Sequence, residues 1–332
     1  MRPTGPLHLG HWVGVLKSWV ELQSRYECFF MVADWHALMS EYEHPDQIAR
    51  WSREMVMDWI AAGIDPERSV LFRQSDVPEH LELYLALSIL TPLGWVERVP
   101  TYKEQLRELV GRDLATYGFL GYPVLQAADI LLYRAHWVPV GEDQLPHLEL
   151  TREIVRRFKF LYRCDIFPEP RPLLTREAKL LGLDGRKMSK SYDNFIALSE
   201  DPDAIRRKAQ KMFTDPKRIR MTDPGHPEEC NVCHYWEVFV PEKAPRVWEE
   251  CRTSARGCTQ NKEELAEELI RLTAPFREIR SQHAQIKVDE LGLSDWVEGI
   301  LAKGAKRARS VAVETMQVVR KALGLPNQGS VA

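Results

Sequence analysis

The chain has 332 residues, 44% of them hydrophobic and 28% charged, with 45 basic against 48 acidic side chains for a formal charge of −3. At roughly 150 residues per domain, that length is a prior of about two domains, and the apolar content excludes a disordered chain. The charge balance excludes a histone-like polycation, and no apolar run reaches the ~18 residues of a membrane helix. The opening MRPTGPLHLGH lacks a charged-then-apolar leader, so the expectation is a cytoplasmic protein.

In chain order, the turn-rich segment Arg2-Pro-Thr-Gly-Pro-Leu-His8-Leu-Gly10-His11 runs into a helix whose apolar face is Trp12, Val15, Leu16, Trp19 and Val20. Residues 28–33 and 69–72 are short apolar runs suited to buried strands. Between them, residues 46–62 carry apolar side chains at helical spacing until Gly63 and Pro66 stop the helix. Tyr122, Gln126 and Asp129 share one helix face. Residues 137–140 predict a further strand, and a helix follows from about 144 to 160. This alternation predicts an α/β domain with a parallel sheet wrapped by helices. After residue 190 strand signals fade, and residues 202–213, 261–285 and 302–323 predict helices. The division is 1–191 for the α/β domain and 192–332 for a mainly α-helical domain.

Two segments carry chemistry. A helix starting near Leu9 aims free backbone N–H groups, with the imidazoles of His8 and His11, at an anion lying before it. Gly10 leaves room for a flat ring against the backbone. Far downstream, Gly185-Arg-Lys187-Met188-Ser189-Lys190-Ser191 places two ammonium groups on a glycine-entered loop, suited to clamping a polyphosphate.

His-x-Gly-His paired with Lys-Met-Ser-Lys-Ser resembles the class I aminoacyl-tRNA synthetases, and the likeness covers nearly the whole chain. Val32-Ala-Asp34-Trp-His36-Ala37, Gly63-Ile-Asp-Pro66, Gln74-Ser-Asp-Val-Pro-Glu-His80, Tyr122-Pro-Val-Leu-Gln-Ala-Ala-Asp129 and Val138-Pro-Val-Gly141-Glu-Asp-Gln144 resemble the bacterial tryptophanyl branch, of the type with a cysteine cluster in its helical domain. The resemblance implies a Rossmann-like nucleotide-binding domain and the joining of L-tryptophan to tRNA(Trp) through a tryptophanyl-adenylate. It implies ATP and Mg2+ as reaction partners and a homodimer, with no membrane or DNA partner. It implies ATP contacts from Arg2, Pro3, Thr4, Gly10, His11, Gly141, Glu142, Asp143, Leu180, Lys187, Met188, Ser189, Lys190 and Ser191. His8, His11, Lys187 and Lys190 would be catalytic. Asp129 would accept the indole N–H, Tyr122 and Gln144 would hold the α-amino group, and Gln126 and His36 would lie in the same pocket. Gln126 stands where many tryptophan enzymes carry methionine. The pattern Tyr-x3-Gln-x2-Asp also resembles the tyrosyl enzymes, which keeps tyrosine as an alternative; a non-catalytic tRNA-binding or redox-sensing paralogue is another. Relatives carry an apolar strand ahead of the Pro-x-Gly turn, whereas here Met1 directly precedes Arg2, so residues upstream of Met1 are expected.

Four of the six cysteines, Cys230, Cys233, Cys251 and Cys258, fall within 29 residues. Four thiolates suit a [4Fe-4S] cluster or Zn2+. The resemblance favours iron–sulfur, though Asn261 stands where the family's C-x6-C-x2-C ending has its last cysteine. Basic stretches at 205–220 and on the last helix, the latter with Lys303, Lys306, Arg307, Arg309, Arg320 and Lys321, are expected phosphate contacts for tRNA.

Overall fold

Two parallel βαβ units make up the first half of the chain. In a computed structural model, which describes residues 1–100, 116–174, 180–186, 188, 192–283 and 295–326, β1 (Phe29–Val32) and β2 (Val70–Arg73) pair in register from Phe29 opposite Val70. Parallel strands need a long crossover, here supplied by α2 (Asp34–Glu41) and α3 (Ile48–Ala61). β3 (Trp137–Val140) and β4 (Arg171–Leu174) pair likewise, Trp137 opposite Arg171, across α8 (Leu145–Tyr162). Between the units lie α4 (Glu79–Leu90), α5 (Leu93–Glu97), α6 (Tyr117–Leu120) and α7 (Tyr122–Leu132). The arrangement is Rossmann-like. Among the described residues, however, the expected single sheet is two sheets of two strands, both of which line one cavity. Met1 lies beside β1: its amino group donates to the Met31 carbonyl at 2.7 Å, and its carbonyl accepts from the Ala33 N–H at 2.9 Å.

Ahead of β1, α1 is one rod assembled from the turn Leu9–His11, a π-helical stretch Trp12–Leu16 and Lys17–Leu22. The predicted apolar face packs as read: Leu16 is fully buried, and Trp19 stacks on Phe30 with ring centroids 4.5 Å apart. β4 had escaped the sequence pattern because Arg171-Pro172 breaks the apolar run.

The second half is helical: α9 (Pro202–Gln210), α10 (Asn231–Phe239), α11 (Ala244–Arg252), α12 (Cys258–Leu272), α13 (Ala274–His283) and α14 (Asp295–Ala322). Asp201 caps α9 by accepting from the N–H groups of Asp203 and Ala204. The single helix predicted over 261–285 is two, because Pro275 has no N–H with which to continue the ladder of α12. The helix predicted over 302–323 starts earlier and returns to the first half. Ala305, Ala308, Ala312, Met316 and Val319 share one core with Val70 and Phe72 of β2 and Leu83 and Leu87 of α4. Small residues allow this approach. A Cβ on Gly304 would sit 1.8 Å from the Leu71 carbonyl oxygen, so the helix backbone rests directly on the strand.

Ion pairs fasten the same contact. Arg73 meets Glu298 at 2.6 Å, Arg309 meets Glu79 at 2.9 Å and Lys303 meets Glu67 at 2.7 Å; Arg320 meets Glu82 at 2.5 Å. Three cations expected to face tRNA phosphates, Lys303, Arg309 and Arg320, are therefore paired within the chain. Replacing Gly304 with valine forces helix and strand apart, and urea unfolding should show a loss of about 3 kcal/mol, the upper range of core overpacking.

Candidate active site

Of the downstream Lys-Met-Ser-Lys-Ser segment, Met188 is described, and it reaches the helix start. His8 takes the N-cap position of α1, its backbone extended, and its ring centroid lies 3.7 Å from that of His11. The segment after the downstream loop pairs with this helix start. Leu9 N–H donates to the Ile196 carbonyl at 3.1 Å, and Leu198 N–H donates to the Leu7 carbonyl at 2.9 Å. At Gly10 a side chain would be tightly crowded: its Cβ would lie 3.1 Å from the His8 ring and 3.2 Å from the Met188 sulfur. Met188, in the middle of Lys-Met-Ser-Lys-Ser, thus packs against the helix that bears His8 and His11. Lys187, Ser189, Lys190 and Ser191 lie outside the described residues.

A cavity of about 760 Å³ runs along β1 and β3. Arg2, Gly141, His36, Tyr122, Gln126, Asp129 and Gln144 line it together with Met39, Phe72 and Phe119. One pocket therefore holds two expected nucleotide contacts and all five expected amino-acid contacts. Asp129, mid-way along α7, is the polar centre. Its Oδ2 accepts from His36 Nε2 at 2.7 Å, and its Oδ1 accepts from Gln74 Nε2 at 2.8 Å and His80 Nδ1 at 2.7 Å. Burial alone would push this carboxyl up, but the hydrogen bonds and charges of His36 and His80 outweigh it and bring the pKa down to about 2. The acceptor is therefore ionised at neutral pH. Tyr122 hydroxyl faces His147 Nε2 at 3.4 Å, while Gln126 donates to Gln144 Oε1 at 3.4 Å, and Gln144 donates to Asp143 at 2.7 Å.

The family model described as class I tRNA synthetases (W and Y) matches residues 1–274. The chain belongs to this family. It is 49% identical over 328 residues to the tryptophan–tRNA ligase of Thermotoga maritima, covering 98% of each chain. A crystal structure of tryptophanyl-tRNA synthetase from Campylobacter jejuni, complexed with ADP and tryptophan, superposes with a TM-score of 0.88 at 31% identity, covering 98% of each chain. A tyrosyl-tRNA synthetase from Archaeoglobus fulgidus, 22% identical, shares the fold with a TM-score of 0.65 over 84% of this chain and 88% of its own.

Against this class I background, the sequence reading missed Gln74, His80, Tyr133 and His147. Gln74 and His80 were visible as a motif match, but their partner lies some 50 positions away, and nothing local ties them to it. The remaining expected nucleotide contacts are spread around the helix start and the β3 end. Thr4 N–H closes a turn on the Arg2 carbonyl at 3.0 Å, Glu142–Gln144 form a 3₁₀ turn directly after β3, and Leu180 is buried.

The geometry does not support the metal reading. Among the described residues, no three His, Cys, Asp or Glu side chains converge as a metal ion would require. Cys230, Cys233 and Cys251 are buried close together, and Cys258 is half-buried. Hydrogen bonds to Cys230 and Cys251, with burial added, push the Cys233 thiol well above its ordinary range. The position of the family's last cysteine is filled by Asn261, whose amide donates to Cys233 Sγ at 3.7 Å and whose oxygen accepts the Trp236 indole N–H at 2.8 Å. Asn261 is thus engaged elsewhere, and nothing among the described residues supports the [4Fe-4S] or Zn2+ reading.

The depressed pKa of Asp129 has a stability consequence. A carboxyl that titrates near 2 when folded and at 3.8 when unfolded stabilises the fold by about 2 kcal/mol above pH 4, and that term is lost as pH falls toward 2. In Asp129→Asn the acid-unfolding curve should therefore lose this component. The gap in thermal midpoint between the two proteins should be widest at pH 7 and should close as the pH drops below 4.

Proposed function

We propose that the chain is a tryptophan–tRNA ligase, activating L-tryptophan with ATP and passing it to tRNA(Trp). What supports the reading is the close approach of Met188, inside the Lys-Met-Ser-Lys-Ser string, to Gly10 at the helix start of His8 and His11, together with a pocket centred on an ionised aspartate. In the first step a tryptophan carboxylate oxygen forms a bond to the α-phosphorus, the bond to the bridging oxygen of the β-phosphate breaks, and pyrophosphate leaves. The attacking carboxylate is already ionised at neutral pH, so no general base is needed, and positioning plus charge stabilisation must supply the rate. His8 and His11 meet the triphosphate at the helix start, and Lys187 and Lys190 neutralise the leaving pyrophosphate. Mg2+ carried on the phosphates spreads the remaining charge. In the second step a terminal ribose hydroxyl of the tRNA attacks the carbonyl of the adenylate and AMP leaves.

Asp129 accepts the indole N–H, Tyr122 and Gln144 hold the α-amino group, and His36 and Gln126 border the ring. Arg2, Pro3, Thr4, Gly10, His11, Gly141, Glu142, Asp143, Leu180, Met188, Ser189 and Ser191 surround the nucleotide. Residues 1–191 carry the two reactions in this reading, and the helices of 192–332 meet the tRNA anticodon, with α14 tying the second region to the first. Among the described residues of the basic stretch at 205–220, Arg207, Lys211 and Arg220 keep side chains without an ion pair and are the cations offered to phosphate. Place of work is the cytoplasm; among the described residues, no helix is long and apolar enough to cross a membrane.

The active unit is a homodimer. Leu85, Ile89, Leu93 and Tyr117, on α4, α5 and α6, are apolar side chains 58–80% exposed, and they are offered here as the seam between two copies. Ile89→Asp should convert the sedimenting species from dimer to monomer.

The decisive assay is ATP–pyrophosphate exchange. Exchange should require L-tryptophan and be absent with L-tyrosine; the reverse preference would overturn the tryptophan reading. Lys187→Ala and Lys190→Ala should each slow adenylate formation about 100-fold, the scale of one lost charge-stabilising group, while the Kd for tryptophan stays nearly unchanged by calorimetry.

A further inference from the structure

Asp129 is reached from two sides, and only one of them is the cavity. His36, Gln126 and Tyr133 line the cavity beside it, whereas Gln74 and His80 do not. His80 is fully buried at the start of α4 and approaches Oδ1 from behind. A carboxylate can only accept, so Nδ1 of His80 carries the hydrogen of that bond. Its other nitrogen, Nε2, meets the Tyr133 hydroxyl at 2.7 Å. Tyr133 lies one turn beyond Asp129, at the C-cap of the same helix. Burial pushes its pKa up, so the phenol keeps its proton and can donate to Nε2. Tyr133, His80 and Asp129 thus form a chain that fixes ring, tautomer and carboxylate plane together. Gln74 adds a second donor to the same oxygen. The remaining oxygen, Oδ2, faces the cavity side and is covered there by His36.

We infer that His80 is a positioning residue for substrate selection. By tying Oδ1 behind the pocket, it leaves Oδ2 as the one acceptor offered to an N–H donor of the amino-acid side chain, with His36 holding that place until the substrate's N–H replaces it. The inference rests on the proposed role of Asp129 and goes beyond it, since His80 does not border the cavity and no contact with substrate is required of it.

A tryptophan analogue separates this role from a merely structural one. In 3-benzothienylalanine sulfur replaces the ring N–H with little change of shape. A pocket built around a donor rejects a substrate lacking it, because its own acceptor is left unpaired. Kcat/KM in pyrophosphate exchange, measured for tryptophan and for the sulfur analogue, gives a discrimination ratio for each variant. His80→Leu should lower that ratio about 10- to 100-fold, the worth of one hydrogen bond involving a charged group, chiefly through KM for tryptophan. His80→Asn, whose side-chain amide can present an N–H where Nδ1–H stood, should restore most of it. Tyr133→Phe should lower it less and serves as the deciding variant if His80→Leu does not fold. Asp129→Ala is the control for the underlying reading. If it leaves the ratio unchanged, the Asp129 assignment fails and this inference with it. If Asp129→Ala collapses the ratio while folded His80→Leu weakens both substrates equally, the inference alone is overturned.

Discussion

A carboxylate that stays charged in a protein interior must be compensated by fixed donors, and Asp129 sets that requirement for the whole first half of the chain. Its three donors arrive from three places: His36 from α2, Gln74 from the end of β2 and His80 from the start of α4. Asp129 itself belongs to α7. Four segments are thereby fixed relative to one acceptor, and leaving that acceptor short of a donor would strand a buried charge at a cost of several kcal/mol. Preorganisation follows directly. The oxygen facing the cavity is held in place and ionised before any substrate arrives, so binding need not pay to orient it.

The same arrangement explains why a helix from the far end of the chain matters to the pocket. α14 lies on β2 through Gly304, and β2 ends at Arg73, next to Gln74. Arg73 is held by Glu298, and Arg309 binds Glu79, the residue before His80. Two of the three donors to Asp129 are thus backed by neighbours clamped onto α14. The cations of that helix, which composition alone assigns to nucleic acid, act inside the protein. Charge runs are read correctly as basic surface only when no neighbouring element brings acidic partners to them, and here Glu67, Glu79 and Glu82 do.

Much of this was legible in the residues because it is local. The apolar runs at 28–33 and 69–72 became β1 and β2, the helical spacing at 46–62 became α3, and the Tyr122, Gln126 and Asp129 face became the wall of the cavity. What escaped is non-local. A buried histidine and a buried glutamine at the head of α4 look like ordinary polar caps until the fold sets them against Asp129. β4 hides behind a proline, since Pro172 interrupts the apolar pattern while still fitting the edge of a two-stranded sheet. The return of α14 was equally hidden: Gly304 and the run of alanines at 305, 308 and 312 have the pattern of any small-residue helix face, and only the carbonyl of Leu71 gives them a purpose.

The cysteines show the converse error, in which spacing is right and chemistry differs. Of four thiols in 29 residues, three lie buried, but they do not converge as a ligand set requires. A metal site also requires that every position be filled by a group with a free lone pair aimed inward. At the family's last cysteine position Asn261 is engaged at both ends of its amide, donating to one sulfur and accepting from Trp236. Its two bonds link α10 and α12, joining helices that also share Val232, Tyr235, Leu265 and Leu269 in one core. Sulfur in such surroundings behaves as a small apolar group with a weak donor. Burial of the three thiols between α10 and α11 contributes to the packing of the helical region.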